Sequence, residues 1–167
     1  IPEIVEGAFM QRGGVSQDYP SQRPVRFMGA GGIAKDGPED RGLSERCIAG
    51  FNAGPPFMPS AYNNNIQIFQ HKNHVVIMTE MVHDARVVPL NKNHQLHDDI
   101  RLWSGDSRGY WDGDTLVIET KNFSDMVQSF LASPYGNARE KSLTERFTRV
   151  NETTIEYEFT IRDPSTF

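Results

Sequence analysis

Hydrophobic and polar positions divide this chain into two regimes. From residue 65 onward they alternate with a period of two. Ile66 and Ile68 share one face of a short strand and Phe69 takes the other, as a pleated backbone requires. His71-Lys-Asn73 reads as a hairpin loop. Residues 74–81 are β-branched and apolar on both faces at their middle, which suits a central strand. Residues 84–90 continue as a third strand ended by Pro89, and the polar residues 91–101 read as a loop. Residues 106–111 predict a short strand, Asp112-Gly113 a hairpin turn and residues 115–120 the return strand. Residues 124–137 are mixed, with room for a helical turn. Residues 143–150 and 153–162 form a last hairpin around Asn151-Glu152. In its second strand Ile155, Tyr157, Phe159 and Ile161 alternate with Glu156, Glu158, Thr160 and Arg162, the mark of a sheet with one dry and one wet side.

Seven strands in hairpin succession with little helix predict an all-β, antiparallel fold. Its edges need protection, so the sheet must close or pack on another. The expected form is an up-and-down barrel or half-barrel of lipocalin-like kind, with a β-sandwich as the alternative.

Residues 1–60 follow no such period. They hold ten of the fourteen glycines and seven of the ten prolines, in turn-forming clusters such as Gly13-Gly14, Gly37-Pro38 and Gly54-Pro55-Pro56. A structureless run of that length is unusual inside a compact domain. The division expected is therefore an irregular arm over 1–60 and an antiparallel β domain over 61–167. The arm packs across the body or onto a neighbour, with a short helix near residues 40–47. Gly29-Ala-Gly-Gly32 lacks the leading strand and the following Lys-Ser/Thr of a phosphate cradle, and reads as a loop.

Composition narrows the function. Acidic residues outnumber basic ones 22 to 17, for a net charge of −5, and the basic residues are scattered, so nothing favours nucleic acid. No apolar run is long enough to span a membrane as a helix. The chain opens on Ile1 without a visible signal peptide, which is expected of a processed product or a piece of a longer one. The lone Cys47 has no disulfide partner within these residues and no sequence signature of a positioned base.

Four constellations carry candidate chemistry. In His83-Asp84-x-Arg86 the strand period puts Asp84 and Arg86 on one face. A bend would bring His83 to the same rim, as an acid or base beside a cation for a carboxylate or oxyanion. The structural alternative is an Asp84–Arg86 ion pair with His83 bonded at a strand end. Ser107 would serve as a nucleophile only with a base such as His83 alongside, and no Gly-x-Ser-x-Gly elbow surrounds it. Trp103, Tyr110 and Trp111 are amphipathic rings suited either to a ligand cavity or to core. His94-x-x-His97-Asp98-Asp99 has ligand-like composition, but spacing fixes no third ligand, so neither a metal nor a cofactor is expected. Turn chemistry explains Asp112-Gly113-Asp114 without calcium.

The segments Asn63-Asn-Asn-Ile-Gln-Ile68, Met81-Val-His-Asp-Ala-Arg86, Gly105-Asp-Ser-Arg-Gly109 and Trp111-x-Gly-Asp-Thr-Leu-Val117 resemble, as a set, a large family of uncharacterised bacterial proteins. The family is common in acidobacteria and proteobacteria. Glu45-Arg46-Cys47, Gly54-Pro55-Pro56, Glu145-Arg146-Phe147 and Asp163-Pro164 fit as well, so the likeness runs from about residue 45 to Phe167. It implies export, hence a periplasmic or extracellular location, and supplies no activity. Members usually continue into an aromatic, proline-containing tail with a cysteine, so a missing tail would leave Cys47 without its partner. Where the family tends to show Gly-Arg-Pro-His, this chain has Lys92-Asn93-His94-Gln95, so His94 and His97 draw nothing from the resemblance.

Three functional readings follow. The first is an exported barrel-like protein binding a small, partly apolar ligand, with His83 and Arg86 at the rim and Trp111 or Tyr110 as a wall. The second is a cofactor-free lyase, isomerase or hydrolase using His83, Asp84 and Arg86. The third is a structural subunit that docks on a copy of itself or on a partner protein through residues 1–60.

Overall fold

The computed structural model describes residues 47–48, 53–59, 62–93, 96–124 and 140–164. Seven strands run in chain order: β1 (Ile66–Gln70), β2 (His74–Thr79), β3 (Ala85–Pro89), β4 (Asp106–Asp112), β5 (Thr115–Lys121), β6 (Ser142–Arg149) and β7 (Ile155–Arg162). All seven fall where the alternation places them, to within two residues. The expected helical turns near residues 40–47 and within 124–137, like most of the arm, lie largely outside the described residues.

The strands form two antiparallel sheets, β1-β2-β3 and β4-β5-β6-β7. They do not close into a barrel; the arrangement is that of a half-barrel or an open sandwich. The sheets meet where β3 ends. Leu90 bridges Gly109 in parallel, and the Asn91 N–H donates to the Gly109 carbonyl at 2.8 Å. Glycine eases the close approach at that junction. A Cβ on Gly109 would lie 3.0 Å from Leu90 Cδ2 and 3.0 Å from Val88 Cγ1. Gly113 has a φ of +60° in the β4–β5 hairpin, where primed turns call for positive φ.

Register decides which side chains face inward. Across the larger sheet the inner rows are Trp111–Leu116–Phe147–Tyr157, Gly109–Ile118–Glu145–Phe159 and Ser107–Thr120–Leu143–Ile161. Across the smaller sheet, Val75 faces Val88 and Ile77 faces Arg86. The two inner faces share one core, in which Val75, Ile77, Val88, Leu116, Ile118 and Phe147 are buried. Removal of this apolar surface from water is the main force holding the sheets together.

The end of the glycine- and proline-rich stretch belongs to this core. Ala53, Pro55, Pro56 and Phe57 are buried. The Phe57 ring sits 6.4 Å from Phe147 and 5.9 Å from Tyr157, filling the space between the sheets.

Candidate functional site

Among the described residues, polar groups meet the inner face at its centre and at its open end, besides the Ser107–Thr120 pair and Lys141. At the centre, Arg86 points inward from β3 and meets Glu145 of β6, 59 residues away in sequence. The pair is bidentate: Nη1 donates to Oε2 at 2.6 Å and Nη2 to Oε1 at 3.1 Å. The Tyr157 hydroxyl donates to the same Oε1 at 2.8 Å and accepts the Phe57 main-chain N–H at 3.0 Å. The guanidinium carbon lies 5.2 Å from the Phe57 ring centroid. Glu145 is wholly buried, and the Arg86 side chain is only 9% exposed. Burial, and then the neighbouring carboxylate, push the Tyr157 hydroxyl well above its ordinary range, so it stays a donor. Arg86 Nε is buried and has no hydrogen-bond partner among the described residues. Phe57 packs over this network, so the centre is a bolt between two sheets.

The second place is the open mouth beside the β1–β2 loop. Trp111 is the last inward residue of β4 before the turn and remains 44% exposed. With Val75 and Leu90 it lines a groove of about 510 Å³. Gln70, His71, Lys72 and Asn91 complete the rim. The loop is well tied down. The His71 N–H donates to the His74 carbonyl at 2.9 Å, and the two imidazoles stack with centroids 4.5 Å apart. The Asn73 N–H donates to His71 Nδ1 at 3.5 Å. A ring nitrogen that accepts leaves the proton of the neutral imidazole on the other, so Nε2 carries a donor.

The candidates read from sequence are dispersed by this geometry. Arg86 is committed to Glu145 rather than to Asp84. The Asp84 carboxylate accepts the N–H of Ala85 at 2.9 Å. His83 is exposed. It follows Val82 in a 3-10 turn (Met81–His83), and both residues have left-handed φ, +52° and +54°. That bend carries His83 out of the strand path on which Asp84 and Arg86 continue. Ser107 is buried and shares a 2.9 Å hydrogen bond with Thr120. Tyr110 and Trp103 are partly exposed, and the strand period puts Tyr110 on the face opposite Trp111. His97 is exposed, with Nδ1 against the Asp99 N–H and carboxylate, and His94 lies outside the described residues. Among the described residues no group of three His, Cys, Asp or Glu is placed to hold a metal ion. No described helix is long and apolar enough to cross a membrane.

Glu145, Tyr157 and the His71-Lys72 rim are the residues that sequence reading missed. Glu145 had a signal: it occupies an inward position between Leu143 and Phe147. The same is true of Lys141, a buried residue at the far end of this face, whose ammonium lies 4.3 Å from the Phe123 centroid. Burial pulls Lys141 down to about 8, against the opposing pull of the Asp163 carboxylate.

Fold and site together define a two-sheet antiparallel β protein with a bolted centre and an open mouth walled by Trp111. Comparison with protein-family models, with characterised proteins and with solved structures gave no significant match.

Proposed function

We propose that this protein binds a small, partly apolar ligand in the Trp111 groove. One observation carries the reading: Trp111 lies on the inner face of its sheet yet is left 44% exposed, uncovered among the described residues, beside apolar residues and an ordered polar rim. An apolar concavity with a few fixed polar groups is the usual form of a small-molecule site. The resemblance to exported bacterial proteins supports a periplasmic or extracellular setting. The test is a fragment screen followed through the two indole N–H resonances, assigned with Trp103→Phe and Trp111→Phe. Fragments should shift Trp111 together with the Val75 and Leu90 methyl groups. Hits that move only other surfaces would remove the groove from consideration.

A second reading, a subunit of an assembly, is favoured by the outer face of the smaller sheet. There Phe69, Val76 and Val87 stand in one cross-strand row, with Phe69 46% and Val87 57% exposed. Sedimentation of the wild type against Phe69→Lys tests it. A monomer at all concentrations in both would end this reading.

A further inference from the structure

We infer that the ligand of the Trp111 groove is an anion with a flat apolar body, its charged group held at the Lys72 side of the rim. This rests on the groove being the binding site and adds the charge of what binds there. Val75 and Leu90 are the aliphatic residues at the base of the groove, Val75 fully buried and Leu90 nearly so. The Trp111 ring adds a wall on which a planar group stacks. The rim is rich in donors. Lys72 is exposed and supplies an ammonium group, while His71 presents Nε2–H because its Nδ1 already accepts from Asn73. The side-chain amides of Gln70 and Asn91 each bring both a donor and an acceptor. Among the described residues no Asp or Glu lines the groove, although acids outnumber bases in the chain 22 to 17. The complementary molecule therefore offers acceptors and negative charge at one edge and apolar surface elsewhere. A carboxylate or a sulfonate on an aromatic frame has that chemistry.

The contribution of charge will be modest, because a pair at an exposed rim is screened. It amounts to a factor of about two to five in affinity. Two fluorescent reporters that differ only in a sulfonate isolate it: anilinonaphthalene sulfonate and neutral N-phenylnaphthylamine. The full chain is titrated with each, as wild type, Lys72→Met, Lys72→Glu and Trp111→Ala. The ratio of anionic to neutral affinity should fall by about two- to fivefold in Lys72→Met and further in Lys72→Glu. The neutral reporter should be indifferent to both changes. Trp111→Ala should weaken both reporters by about tenfold. An unchanged ratio in Lys72→Glu overturns the inferred charge and leaves the groove standing. Indifference of both reporters to Trp111→Ala overturns the groove itself, and the inference with it.

Discussion

The centre and the mouth lie on the same inner face, and one row, Trp111–Leu116–Phe147–Tyr157, runs from one to the other. At the Tyr157 end the row meets an arginine, a glutamate and a phenol, the residue types from which catalytic sites are built, and Phe57 packs against the arginine and the phenol. At the Trp111 end it meets a loop of plain composition, and nothing among the described residues covers it. Reactive residue types in this fold therefore mark a structural contact between the sheets. What distinguishes the two regions is whether the space between the sheets is filled. A charged group between filled sheets is held by partners, whereas the aromatic ring where filling stops stays exposed.

The largest expected effect is at the centre. Glu145→Ala or Arg86→Ala alone should cost about 3–5 kcal/mol in urea unfolding, because each strands a buried charge. The double replacement Arg86→Met/Glu145→Leu should recover most of that loss, since apolar groups of similar volume need no partner. Equal, additive losses in the single and double variants would mean that the pair is not the unit it forms in the structure.

Phe57→Ala comes next, at about 3–5 kcal/mol for a buried phenylalanine. It should also convert the centre into a second cavity, detectable as reporter binding that survives Trp111→Ala. A loss below about 1 kcal/mol would show that residues 53–59 do not fill the core.

A smaller effect depends on pH. Lys141 is held at about 8 in the folded chain against an ordinary 10.5. Between those two values the unfolded chain keeps a proton that the folded chain has released, so stability rises with pH through that window. Below about 8 both states are protonated and the full burial penalty applies. The rise amounts to at most about 3 kcal/mol. Urea midpoints at pH 7.5 and 9.5 should differ in the wild type and converge in Lys141→Met. The range stays below pH 10 because the raised Tyr157 acts in the opposite sense, with stability falling once the unfolded phenol ionises. A wild type with no slope in this window would mean that Lys141 is solvated.

The smallest stability effect is at the mouth. Trp111→Ala should cost about 1 kcal/mol or less, because much of the ring is already in water. The contrast with Glu145→Ala is the sharpest quantitative form of the comparison between the two regions.

The strands were legible because period-two alternation is a local property, as were the turn at Gly113 and the inward side of β7, which is half-buried from Tyr157 to Ile161 while Ile155 stays exposed. The partner of Arg86 was not legible. Asp84 shares its strand face and is close in sequence, whereas Glu145 lies on another sheet, and only the packing of one sheet on the other brings it near. Among the rings, strand parity was readable but its reference was not. It separates Tyr110 from Trp111, yet which face is inner follows from the pairing of Trp111 with Leu116. The place of His71 and Lys72 beside Trp111 was invisible for a related reason. A hairpin loop reads the same from sequence whether it faces open water or a tryptophan from the other sheet.

The central claim is that the charged centre is architecture and the Trp111 mouth is the binding surface. The most direct test is the dissociation constant of N-phenylnaphthylamine for two variants beside the wild type. Arg86→Met/Glu145→Leu should bind within about twofold of wild type, whereas Trp111→Ala should bind about tenfold more weakly. Binding lost in the first variant and kept in the second would contradict the account.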